Sequence, residues 1–63
     1  MPNVVIDMWE GRDSDTKRKL IQEISKVIVD VLKVDVHHVR VILNDIPKDN
    51  WGIDGEQASR IQR

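Results

Sequence analysis

The chain opens Met1-Pro2-Asn3-Val4-Val5-Ile6-Asp7-Met8-Trp9, and the proline in second position is the residue with the most unusual chemical potential. When Met1 is trimmed, Pro2 carries a free secondary amine. When Met1 stays attached, the same nitrogen is an amide and cannot act as a base. An ordinary α-amino group has a pKa of roughly 7.7–8.0, and a cationic or apolar pocket lowers it by disfavouring the charged form. Such an amine suits a general base or a nucleophile that traps carbonyls. The plain alternative is structural, because a proline can open a strand without losing a ladder hydrogen bond.

Other residues with chemical potential are spread along the chain. Arg40 lies between Val39 and Val41, on a strand face expected to be buried, where an unpaired charge is costly. An anion should therefore meet it, either a substrate or one of Asp7 and Asp45. Arg12, in the polar turn Glu10-Gly11-Arg12-Asp13, reads on its own as a solvated cation. Trp51 suits a plug in a subunit interface or a pocket wall equally well. His37 and His38 are adjacent on what reads as a strand, so they point to opposite faces and cannot chelate one metal within a subunit. His38 would share a face with Arg40 and is a candidate for a role in a site, with a surface position as the simpler reading.

The elements that must position these residues follow from periodicity. Residues 3–9 alternate, with Val4, Ile6 and Met8 on one face and Asn3, Val5, Asp7 and Trp9 on the other, the pattern of a strand. Both faces carry apolar residues, so Val5 and Trp9 call for cover that a short chain cannot itself supply. Gly11 breaks the strand. Asp13 or Ser14 is placed to cap a helix, and Asp15 sits where the macrodipole favours an anion. From Asp15 to Leu32, the residues Leu20, Ile21, Ile24, Val27, Ile28, Val31 and Leu32 form an apolar arc of about 140° at 100° per residue. Val29 falls outside that arc and reads as a scattered surface residue. The end of the helix is weakly marked, since Lys33-Val34-Asp35 contains no glycine.

Residues 38–44, His38-Val39-Arg40-Val41-Ile42-Leu43-Asn44, alternate as a second strand. Strand, helix and strand predict a βαβ unit of the α/β class with parallel strands and a right-handed crossover. The helix covers one face and meets Val4, Ile6, Met8, Val39, Val41 and Leu43. Val5, Trp9, Arg40 and Ile42 are left on a bare face of a two-stranded sheet with open edges, the kind of surface that subunits cover for one another. The expectation is a dimer that extends the sheet, with sheet faces packed into a larger closed assembly. The segment from Pro47 to Glu56, rich in turn formers, reads as a loop and small hairpin.

Composition sets the outer bounds. The 63 residues form one expected domain, residues 1–63, and a domain of this size buries only ~60% of the surface its unfolded chain exposes. With no cysteine, disulfides and thiolate metal sites are excluded, and self-association is the stabilising device that remains. Nothing in the chain calls for a cofactor. Ten basic and eleven acidic residues give a net charge of −1, so no field favours nucleic acid or an anionic membrane. No apolar run approaches ~18 residues and no signal-peptide pattern opens the chain, so a soluble, cytoplasmic protein is expected.

Taken together, Pro2, Glu10-Gly11-Arg12, the helix to Leu32, Val39-Arg40-Val41-Ile42 and Trp51-Gly52-Ile53-Asp54-Gly55-Glu56 resemble the small-subunit 4-oxalocrotonate tautomerase family over essentially the whole chain. The resemblance implies a homohexamer, a trimer of dimers, in which the amino-terminal proline is the catalytic base. It would shuttle a proton between carbon and oxygen of a conjugated 2-oxo or 2-hydroxy dicarboxylic acid such as 2-hydroxymuconate. It also implies two arginines and an aromatic residue in the site, partly from neighbouring subunits, which map onto Arg12, Arg40 and Trp51. Pro2 would be the base, Arg40 a carboxylate and oxyanion binder, and Arg12 the binder of the distal carboxylate. The family's aromatic is phenylalanine in its best-known members, so Trp51 departs from the pattern and leaves the substrate's identity more open than the reaction type.

The residue types suit that chemistry. A buried amine beside arginines acquires a pKa near the working pH by desolvation and like-charge repulsion. A guanidinium grips a carboxylate with two parallel bonds and stabilises charge developing on oxygen. An indole excludes water. Of three alternatives the first two stay open at this point: hydration or dehalogenation of unsaturated acids with Asp49, Asp54 or Glu56 activating water, a non-catalytic assembly module, and a ribbon-helix-helix DNA-binding dimer. The last fails because the segment after the helix alternates like a strand and the first strand carries no basic residue to enter a groove.

Overall fold

A computed structural model describes residues 1–61 of the chain. Strand β1 spans Asn3–Trp9, helix α1 Ser14–Leu32 and strand β2 Arg40–Ile46, and a hairpin pairs β3, Gly52–Ile53, with β4, Glu56–Gln57. Short 3-10 turns occupy Val36–His38, Lys48–Asn50 and Ala58–Arg60. β1 and β2 are parallel neighbours, with Val4 opposite Val41, Val5 opposite Ile42 and Ile6 opposite Leu43. This is the βαβ unit with a small C-terminal hairpin that the periodicity predicts.

Gly11 turns the chain out of β1 at a φ of 119°, a conformation that side chains resist. Asp13 then caps the helix, its Oδ1 accepting the Thr16 backbone N–H at 2.8 Å. Hydrogen bonding from Thr16 holds the Asp13 carboxyl below the usual carboxylate range, with a small opposing effect of burial. The other end of α1 has no glycine, and Lys33 itself adopts the left-handed conformation, φ 57°, donating its N–H to the Val29 carbonyl at 3.0 Å. The backbone requirement for a cap therefore prevails over the side-chain cost.

The second strand begins two residues later than the alternation suggests. His37 and His38 lie in the 3-10 turn Val36–His38, capped by Asp35, whose side chain accepts the His37 N–H at 2.9 Å. His38 therefore does not share a strand face with Arg40, and the opposite-faces argument for the two histidines does not hold. Asp35 competes with strand formation by offering the backbone a local acceptor, the usual behaviour of an aspartate at a turn.

The helix stripe also needs correction. Leu20, Ile24 and Ile28 are half-buried, whereas Val27, Val31 and Leu32 are exposed. Val29, expected at the surface, is half-buried and lines a groove with Ile21 and Val36. α1 is thus rotated so that its sheet-facing row is flanked on each side by uncovered apolar residues. The Lys17 ammonium pairs with Asp45, tying the first turns of α1 to the end of β2.

The hairpin turn is made by Asp54 and Gly55, both at positive φ, 53° and 84°. That pair of conformations is the one that a two-residue turn between antiparallel strands requires, and Asp-Gly is a preferred sequence for it.

Very little of this chain is buried by itself. Among the described residues only Ala58, at 6% exposure, is a buried hydrophobic residue, while Val5 and Ile42 on the bare sheet face remain 57% and 47% exposed. The radius of gyration of 14.8 Å exceeds the ~11 Å of a compact chain of this length. Hydrophobic burial is the main stabilising force in folding, so a subunit with so little of it lacks the means to be stable alone.

Candidate active site

Pro2 and Arg40 lie at one end of the sheet. The Arg40 backbone N–H donates to the Pro2 carbonyl at 3.1 Å, and Arg40 is the register partner of Asn3. Pro2 is half-buried and Arg40 exposed. The Arg40 guanidinium turns back on the chain, Nη1 donating to the carbonyls of His37 at 2.8 Å and Val39 at 3.3 Å. The 3-10 turn therefore holds this guanidinium close to the entrance of β2.

Neither carboxylate considered as a partner for Arg40 meets it. Asp45 is engaged by Lys17, and Asp7 accepts a hydrogen bond from the Asn44 amide at 2.9 Å. Among the described residues no carboxylate forms an ion pair with Arg40, whose guanidinium is held by backbone carbonyls alone.

Arg12 and Trp51 lie at the other end. Arg12 follows the turn after β1, is exposed, and directs Nη1 toward the Trp9 carbonyl at 3.4 Å, a distance at which a hydrogen bond is weak. Trp51 ends the 3-10 turn Lys48–Asn50 and packs edge-to-face on Trp9, with ring centroids 6.0 Å apart and planes at 79°. The Lys48 ammonium sits 4.7 Å from the centre of the Trp9 ring. This end of the molecule thus combines two cations with two indoles.

The register separates the two groups. Six residue steps along β1 at ~3.3 Å each put Pro2 and Arg40 about 20 Å from the turn that carries Arg12. No small acid spans that gap while also touching the reacting nitrogen. Within one chain the four expected residues fall into two groups at opposite ends of the strands.

Two residues that cluster with Trp51, namely Lys48 and Trp9, were not singled out as site candidates by the sequence. Lys48 stands in a polar turn and looks solvated. Trp9 reads as a bare-face residue in need of a neighbour, but Trp51 and Lys48 of its own chain cover it, and it is half-buried. A usable signal was present: the chain has two tryptophans and neither phenylalanine nor tyrosine, and its two large aromatic side chains meet.

Comparison with known proteins bears on what such a chain does. A family model described as "Tautomerase enzyme" matches residues 2–60. The chain belongs to the tautomerase family. Tautomerases are isomerases, and that is its enzyme class. A 2-hydroxymuconate tautomerase of Comamonas testosteroni is 36% identical to it over 63 residues, all of both chains. Among solved structures, a 4-oxalocrotonate tautomerase isozyme from Methylibium petroleiphilum is 34% identical and superposes with a TM-score of 0.91, over 98% of this chain and 100% of that one. A heterohexameric 4-oxalocrotonate tautomerase from Chloroflexus aurantiacus J-10-fl is 26% identical with a TM-score of 0.91, over 98% and 100% of the two chains. Tautomerase chains of this kind therefore occur in oligomers. No described helix is long and apolar enough to cross a membrane.

Proposed function

We propose that this tautomerase ketonises a conjugated 2-hydroxy dicarboxylic acid of the 2-hydroxymuconate type, with the free amine of Pro2 as the base. The amine takes the proton from the 2-hydroxyl group of the dienol and returns it to a carbon of the conjugated chain. The proton count is unchanged, and no cofactor or metal enters the balance. Arg40 binds the carboxylate and oxygen next to the reacting centre, Arg12 binds the distal carboxylate, and Trp51 walls the site against water.

The observation that carries this reading is the division of the candidate residues into two half-sites about 20 Å apart on parallel strands, combined with a sheet face that a single chain leaves uncovered. Assembly brings the amino-terminal end of one subunit to the Arg12–Trp51 end of another. The arrangement we favour is a homohexamer, a trimer of dimers, in which the two-stranded sheets of paired subunits continue into one another. The heterohexameric relative supports six subunits per assembly.

The test is turnover of 2-hydroxymuconate followed in the ultraviolet, with intact mass verifying loss of Met1. Rapid ketonisation by the processed chain, and a large loss in Pro2→Ala or in protein retaining Met1, is the expected result. Equal rates with and without a free Pro2 amine would overturn the assignment of the base.

A further inference from the structure

Lys48, Trp9 and Trp51 make a compact stack, with Trp9 between a cation over its ring and a crossed indole. The Lys48 ammonium lies over the Trp9 ring at 4.7 Å, and Trp51 meets the same ring edge-to-face at 6.0 Å. The Trp9 Nε1 atom is buried and has no acceptor among the described residues. No hydrogen bond fixes this indole, so its orientation rests on the two ring contacts and on the strand that carries it. The quadrupole of an aromatic ring favours a cation over its face and an edge-to-face neighbour, which is the combination present here.

The three residues come from different elements. Trp9 is the last residue of β1, whose backbone is fixed by pairing with Ile46. Lys48 opens and Trp51 caps a single 3-10 turn in the segment that leads into the hairpin. Hydrogen bonds tie that segment to the chain that follows it, the Ala58 N–H donating to the Trp51 carbonyl at 2.7 Å, the Gln57 side-chain amide to the Asp49 carbonyl at 3.0 Å and the Ser59 hydroxyl to the Asp49 carboxylate, but none of these fixes the plane of the Trp51 ring. The paired strand therefore presents one large flat side chain, and the turn that carries Lys48 and Trp51 is docked on it.

We infer that Trp9 is the positioning residue for Trp51, so that the wall of the Arg12 half-site is set by the Lys48–Trp9–Trp51 stack and not by Trp51 alone. The inference rests on the functional reading above for what Trp51 faces, but the stack itself is a property of one chain. Its consequence is specificity: with two indoles crossed at 79° at the end of β1 that leads into the Arg12 turn, this end of the site takes a flat, unbranched, conjugated acid end and resists one that carries a substituent. Loss of the Trp9 ring leaves Trp51 without the partner that fixes its plane, and the affinity for such an acid falls.

The experiment compares Trp9→Leu with Trp9→Phe in the processed, assembled protein. Leucine keeps an apolar strand-end residue without a π-system, and phenylalanine keeps a ring for both Trp51 and Lys48. In either variant Trp51 is the sole tryptophan, so its emission reports directly on its own surroundings. The probe is cis,cis-muconate, a flat dicarboxylate that lacks the 2-hydroxyl group and is not turned over. The expected result is that Trp9→Leu binds muconate roughly 2- to 10-fold more weakly than wild type, the range set by a single aromatic pair, with Trp51 more accessible to acrylamide quenching. Trp9→Phe should restore affinity and shielding, and the pH profile of kcat/KM should be the same in all three proteins. Equal affinity and equal quenching in the two variants overturn the inference. If wild type binds muconate in this Trp9-dependent way but does not ketonise 2-hydroxymuconate, the positioning role stands and the tautomerase reading falls. If wild type does ketonise it and Trp9→Leu matches wild type in affinity and kinetics, the positioning role alone falls.

Discussion

Replacing both Val5 and Ile42 with threonine tests whether the bare sheet face holds the assembly together. The two are register partners on adjacent strands, 57% and 47% exposed in the single chain. Full burial of such a side chain contributes about 1.5–3 kcal/mol, so covering the exposed half contributes about 1 kcal/mol per residue. A contact in which two subunits each bury both residues gains about 4 kcal/mol, and at 1.4 kcal/mol per tenfold this is on the order of 10³ in a dissociation constant. Threonine keeps the β-branched shape that suits a strand but adds a hydroxyl group that would be buried at the contact. Sedimentation over a concentration series should show the double variant dissociating at concentrations where wild type stays assembled, with helical circular dichroism retained in assembled samples. Because the half-sites lie on different subunits in this account, specific activity should fall with the assembly. A dissociation constant within threefold of wild type would refute the claim that this face is an interface.

Three further changes have definite expected outcomes. Arg40→Lys keeps the positive charge but loses the bidentate grip on a carboxylate, so kcat/KM for 2-hydroxymuconate should fall by at least tenfold, on the order of one charge-assisted hydrogen bond, with assembly unchanged by sedimentation. Asp13 has its pKa lowered by Thr16, so its capping contribution is fully present above the unfolded-state value of roughly 3.9 and is lost as the pH falls through the lower folded-state value; in Asp13→Ala the acid-side decline of the melting temperature should be shallower, while stability at neutral pH is reduced. Lys33→Gly removes a side chain from a residue at φ 57° and should stabilise the helix end by about 1 kcal/mol, read as a rise in the denaturation midpoint, with activity unchanged.

Most of the fold was readable because it is written in periods. The alternation through Val4, Ile6 and Met8 and through Val41 and Leu43 reports a sheet face directly, and the row Leu20, Ile24 and Ile28 reports the helix that covers it. The misplaced features are those decided by single polar residues or by neighbours outside the chain. Asp35 captured the His37 N–H and moved the strand start past His38. Val27 and Val31 belong to the apolar stripe by angle, but nothing in the chain reaches them. The candidate site was legible as residue types and not as a place. Pro2, Arg12, Arg40 and Trp51 can be named from the sequence, yet their separation into two ends follows only from the parallel register. The role of Trp9 was obscured because alternation placed it on the bare face, and alternation does not anticipate a distant hairpin folding back over the end of a strand.

The most direct test of the account is subunit complementation between Pro2→Ala and Arg12→Ala chains, each nearly inactive alone, unfolded together and reassembled at equal ratio. If the amine comes from one subunit and the distal arginine from another, random mixing makes about a quarter of the sites intact in a closed symmetric assembly, and ketonisation of 2-hydroxymuconate should return to about that fraction of the wild-type rate. No recovery, with mixed oligomers verified by native mass spectrometry, would contradict a site divided between subunits.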